Sequence, residues 1–106
     1  MAQSFISAIS DHREVLSLDI ETLAMKLLEY LAKYENDPVC NRHNFGRKNT
    51  VQGYPKEQQK EIMRVLMEAW SWLEREILIA RCPAMESSME FYFITRLGRK
   101  RLDGVQ

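Results

Sequence analysis

The chain has 106 residues, 45% hydrophobic and 28% charged, with 15 basic and 15 acidic side chains and a formal net charge of zero. One core of that size buries roughly two-thirds of the unfolded chain's surface, so the length leaves no room for a second domain. The composition is that of a globular protein, which excludes a disordered or collagenous chain, and no apolar run approaches the roughly 20 residues that span a bilayer.

The start, MAQSFISAISDHREV, has neither a basic leader nor a sustained apolar stretch, so it does not read as a signal peptide. The expectation is a cytoplasmic protein with no membrane partner. Zero net charge conceals alternating blocks. Residues 1–37 carry three basic and seven acidic side chains, residues 38–66 six and two, residues 67–95 two and five, and residues 96–106 four and one. Potentials act locally, within about 10 Å at moderate salt, so a neutral chain of this kind can still present a face to a polyanion.

Residues 1–18 show no sustained period apart from short turns around Phe5-Ile6 and Val15-Leu16, and they read as a lead-in. Asp19, or Ser17 before it, then caps a helix over 19–35. Ile20, Leu23, Leu27, Leu31 and Tyr34 recur there at three and four, with Ala24 and Leu28 widening the stripe. The run Glu35-Asn36-Asp37-Pro38 ends it. NRHNFGRKN, residues 41–49, predicts a short second helix with Phe45 inward. Gly53-Tyr54-Pro55 is a break, and Pro55 stands where the first turn of a long helix tolerates it. That helix runs over 56–78. Ile62, Leu66, Ala69, Leu73 and Ile77 trace one face and Met63, Met67 and Trp70 a flank, which requires packing on more than one side. LIA and FYFIT, separated by a polar loop, predict a β-hairpin in which Phe91, Phe93 and Thr95 face one way and Tyr92, Ile94 and Arg96 the other.

Helix, short helix, long helix, hairpin is an order that resembles a winged helix-turn-helix. AWSWLEREILIA is similar to the end of the third helix and the first wing strand of such proteins, where L-x-x-x-G-L-I is usual; Ile77 stands where glycine is common, so the turn out of the helix is expected to differ. FYFITRLGRKRL is similar to the second wing strand and the Thr-x-x-Gly-Arg-x-x-Leu exit of several bacterial regulator families, matched by Thr95, Gly98, Arg99 and Leu102. Thr95 is expected to end the strand and cap a helical turn with its hydroxyl. CNRHNF, residues 40–45, further resembles a segment ahead of the long helix in the N-terminal module of bacterial Ymh-like, abortive-infection-associated proteins. A helical C-terminal domain follows the wing in that group, and its activity is not carried over here. The winged-helix resemblance covers residues 19–102 and implies an α+β, mostly helical fold with a C-terminal two-stranded hairpin wing, leaving 103–106 as a tail.

The resemblance implies double-stranded DNA as the partner. Lys56, Lys60 and Arg64 fall at i, i+4 and i+8, a basic stripe for a groove, with Gln58 and Gln59 beside it as candidate base readers. Arg42, Arg47 and Lys48 before the stripe, and Arg99 and Arg101 after it, are candidates for phosphates. The DNA-binding set is therefore Arg42, Arg47, Lys48, Lys56, Gln59, Lys60, Arg64, Arg99 and Arg101. Two features oppose it. Glu57 and Glu61 lie three residues before Lys60 and Arg64, as in ordinary solvent-exposed pairs, and the wing loop, residues 82–90, holds Glu86 and Glu90 but no lysine or arginine. The alternative is a non-catalytic interaction or homodimer module built on an adaptable surface of Met63, Met67, Trp70, Met85 and Met89.

Nothing points to an enzyme: no glycine-rich phosphate loop, G-x-S-x-G or H-E-x-x-H occurs, and Glu74 and Glu76 are expected to be solvated. Cys40 and Cys82 do not make a disulfide framework. Cys40 and His43 have C-x-x-H spacing, but a structural zinc site needs four ligands in tight pairs and only one such pair exists. No metal or cofactor is expected.

Overall fold

In the computed structural model, which describes residues 2–86 and 90–104, the two strongly periodic stretches form the central pair of helices. Helix α1 spans His12–Ser17, α2 Ile20–Lys33, α3 Arg42–Phe45 and α4 Lys56–Arg75, with 3-10 turns at Phe5–Ser7, Pro38–Cys40 and Lys48–Val51. Strands β1 (Ile79–Arg81) and β2 (Tyr92–Ile94) follow, then α5 (Arg96–Gly104). The chain is thus mostly helical, with a two-stranded antiparallel sheet and a C-terminal helix.

Helix α2, which buries Leu23, Ala24, Leu27, Leu28, Tyr30 and Leu31, packs on α4, which buries Ile62, Leu66, Ala69, Trp70 and Leu73. Each fully buried aliphatic side chain contributes roughly 1.5–3 kcal/mol, so this contact is the main source of stability. Trp70 lies with its ring centroid 5.0 Å from Phe45 and 5.2 Å from Tyr92, tying α3 and β2 to α4. Its indole N–H has no partner among the described residues.

The expected lead-in is part of the core. Phe5, Ile9 and Val15 are buried with the α2 and α4 side chains in one cluster. Residues this close to a short turn and a six-residue helix have too little regular structure to display a period.

Helix α4 ends three residues before the expected Leu78. The Leu78 N–H reaches back to the Leu73 carbonyl at 2.9 Å and the Ile77 N–H to Glu74 at 3.1 Å, with Ile77 at φ 60°. This is the left-handed helix closure that glycine usually makes, here imposed on a β-branched residue. The strands then pair Ile79 with Ile94, Ala80 with Phe93 and Arg81 with Tyr92, and Asn41 bridges to Phe91 on the far side of β2. Ile94 turns inward and Phe93 outward.

Thr95 caps α5 as expected: its Oγ accepts from the Gly98 N–H at 3.0 Å and donates to the Ile77 carbonyl at 2.6 Å. The result is a helix rather than a single turn, and it takes in Asp103 and Gly104, which were expected in the tail. Among the described residues no helix is long and apolar enough to cross a membrane.

Candidate nucleic-acid interface

The segment between α2 and α4 is built from short capped turns. Asp37 accepts from the Val39 N–H at 2.9 Å, and Asn41 accepts from the N–H groups of His43 and Asn44 at 2.9 and 3.2 Å, starting α3. The Thr50 hydroxyl then donates to the Phe45 carbonyl at 2.6 Å, folding the Lys48–Val51 turn back under α3. The N-terminal residues hold this turn from below. Ser4 Oγ lies 2.9 Å from the Thr50 carbonyl and 2.6 Å from that of Gln52, and the Tyr54 hydroxyl donates to Ile9 at 2.5 Å. Gly53, at φ 100°, leaves space for Ile6, whose nearest atom would stand 3.1 Å from an added Cβ.

Held in this way, the turn forms one wall of a groove of about 400 Å³, and the first half of α4 forms the other. Lys48, Lys56, Lys60 and Arg64 surround a floor of Val51 and Met63, and no carboxylate among the described residues lines it. None of the four cations makes an ion pair among the described residues, so the expected Glu57 and Glu61 pairs are not formed. Gln59 also lines the groove, but its side-chain amide donates to the Tyr54 carbonyl at 2.9 Å, which fixes it against the turn.

The remaining basic residues go elsewhere. Arg47 lines a separate cleft of about 230 Å³ with Asn44, Asn49 and Asp37. Arg42 pairs with Glu74 at 3.6 Å, and the Tyr92 hydroxyl donates to the same carboxylate at 3.2 Å. Burial, followed by the charge of Glu74, pushes the Tyr92 hydroxyl above its ordinary range. Glu74 is therefore not the solvated side chain expected from its position, but the anchor that joins α3 and β2 to the end of α4. Arg99 is ion-paired with Glu35, just beyond the end of α2, and Arg101 lies 3.9 Å from the Met25 sulfur. Two of the four cations in the terminal RLGRKR run thus reach α2 or the residue just beyond it, and all four stay exposed.

The expected methionine surface does not form as a unit. Trp70 is fully buried, Met63 and Met67 are half-buried along α4, and Met85 stands exposed on the hairpin loop. Met89 lies outside the described residues. The Cys40 thiol is buried, approaches the Tyr34 carbonyl at 3.4 Å, and is pushed up to about 11 by that burial, which suits a neutral donor rather than a thiolate ligand. Among the described residues no three His, Cys, Asp or Glu side chains come together as a metal site.

No protein-family model, curated protein or solved structure matches the chain, so any functional reading rests on this geometry.

Proposed function

We propose that the chain is a winged-helix module that binds duplex DNA through the first half of α4 and the Lys48–Val51 turn. The observation that carries the reading is the groove between them: among the described residues, four cations without ion-pair partners and no carboxylate in the lining. A helix-turn-helix reads DNA with the N-terminal part of its second helix, and α4 bears Lys56, Lys60 and Arg64 along that part. Arg64 is the planar fork that suits a guanine edge, while the lysines act as point charges for phosphates. Arg42, Arg99 and Arg101 already have protein partners and take no part. The hairpin loop, which is acidic, is assigned no phosphate.

Fluorescence anisotropy with a mixed-sequence duplex between about 50 and about 200 mM salt tests this. Each neutralised phosphate contributes about −0.9 to the log–log salt slope, so the three groove lysines of the native chain should give a slope of about −3. Lys60→Ala combined with Arg64→Ala should weaken binding and bring the slope about 1 closer to zero, with an unchanged circular dichroism spectrum. Affinity and slope unchanged in that variant would remove the groove from the mechanism.

A further inference from the structure

The hairpin has two ends that the basic groove does not use, and they complement each other. Large apolar side chains are exposed at Ile20, Ile77, Met85, Phe93 and Leu97. Three of these lie within two residues of Thr95 or are hydrogen-bonded to it. Phe93 precedes it by two residues on the same side of the strand, Leu97 follows it by two in the first turn of α5, and Ile77 accepts the Thr95 hydroxyl at 2.6 Å through its carbonyl. Ile77 is 63% exposed although it is held at φ 60°, where glycine would relieve the backbone and also erase the apolar surface. Arg96 and Lys100 border this patch; Lys100 follows Leu97 by three residues and shares its side of α5, and neither cation is ion-paired among the described residues.

The loop end carries the opposite character. Met85 is 92% exposed, and Glu86 beside it closes a turn by donating its N–H to the Pro83 carbonyl at 2.9 Å. The base of the hairpin is thus apolar and positive, and its loop apolar and negative. The path from Ile79 to Met85 allows the two ends of one chain to stand up to about 20 Å apart.

We propose that the patch formed by Ile77, Phe93 and Leu97, with Arg96 and Lys100, receives the Met85–Glu86 loop of a second copy of this chain. Two hairpins laid antiparallel about a two-fold axis put each loop on the other's base, since the separation of loop and base is the same in both. The contact is isologous and closes at two copies. Met85 supplies an adaptable apolar anchor, and Glu86 faces the Arg96 and Lys100 cations. An acidic wing then has a role that does not involve phosphate. None of the groove residues Lys48, Lys56, Lys60 and Arg64 lies in the hairpin, so this association is independent of the DNA reading. The contact is small and bordered by charge, which makes the dimer weak and sensitive to salt.

Sedimentation equilibrium of the native chain without DNA, from low micromolar to millimolar concentration, should show a monomer–dimer equilibrium that weakens with salt. Glu86→Lys and Lys100→Glu should each weaken association by about tenfold or more, through like charges placed opposite one another. An equimolar mixture of the two variants should associate more tightly than either alone, because in the mixed pair one contact is native and the other sets the introduced lysine against the introduced carboxylate. Both positions are exposed, so thermal melts of the dilute variants should match the native chain. A monomer at every concentration, a dimer indifferent to both reversals, or a mixture that associates no better than its components would each overturn the proposal.

Discussion

Ile77 and Gly98 both lie at the junction of α4, the hairpin and α5, and each is decided by a single Cβ. For Ile77 the left-handed backbone costs roughly 1–2 kcal/mol relative to a permissive residue, and glycine returns part of that gain as chain entropy. Ile77→Gly should therefore stabilise the monomer by about 0.5–1 kcal/mol, raising the melting temperature of a dilute sample by a few degrees. The same substitution removes an apolar side chain from the patch and should weaken self-association. Gly98 is the reverse case. A Cβ there would lie 2.3 Å from the Leu78 carbonyl oxygen and 2.8 Å from Ile94 Cγ2, so α5 would have to lift from the hairpin to admit it. Gly98→Ala should cost about 1–3 kcal/mol despite alanine's better helix propensity. Gly104→Ala, with nothing within 4 Å of its added Cβ, is the matched control and should be neutral or slightly stabilising in the same melts.

Secondary-structure elements differed in how far the sequence revealed them, and the reason is the range of the interaction that forms each. Helices α2 and α4 were legible because their own side chains repeat over several turns, and Lys56, Lys60 and Arg64 because i, i+4 spacing alone puts them on one face. The end of α4 was overshot because Ile77 continues the apolar repeat after the backbone has left the helix. The partners of Arg42, Arg99 and Arg101 were not legible. Glu74, Glu35 and Met25 are remote in sequence, and only the packing of α3 and α5 brings them near. The turn at Phe5-Ile6 was expected, but its place in the core was missed for the same reason, since Phe5 is buried by tertiary contacts, including an edge-on approach to Tyr30 with ring centroids 5.3 Å apart. Phe5→Ala should cost about 3–5 kcal/mol in a urea titration, as for a core aromatic. A cost below about 1 kcal/mol would return the N-terminal turn to the status of a lead-in.

The alternating charge blocks and the single core respond differently to pH. Blocks of opposite sign are joined where the acidic first third meets the basic terminus, as in the Glu35 and Arg99 pair, which is exposed enough that salt should screen it. The core instead holds groups that must keep a proton. Burial pushes the Cys40 thiol from an ordinary 9.0 up to about 11, and burial also raises the Tyr30 and Tyr54 hydroxyls above their ordinary 10.0. Both tyrosines donate to carbonyls of the N-terminal segment, Tyr30 to Gln3 and Tyr54 to Ile9, so ionisation would break those bonds. In each case the folded state retains the proton at a pH where the unfolded chain releases it. Their stabilising contribution is complete below about pH 8 and is lost as pH rises through the folded-state values. The urea midpoint should therefore stay level between about pH 7 and 8 and fall steadily above about pH 9, starting with Cys40 and steepening as the tyrosines enter. Tyr54→Phe should lower the midpoint at neutral pH, by about 1 kcal/mol for the lost hydrogen bond, yet decline less steeply above about pH 10. If the variant and native curves fell in parallel across the alkaline range, Tyr54 would have no part in the transition.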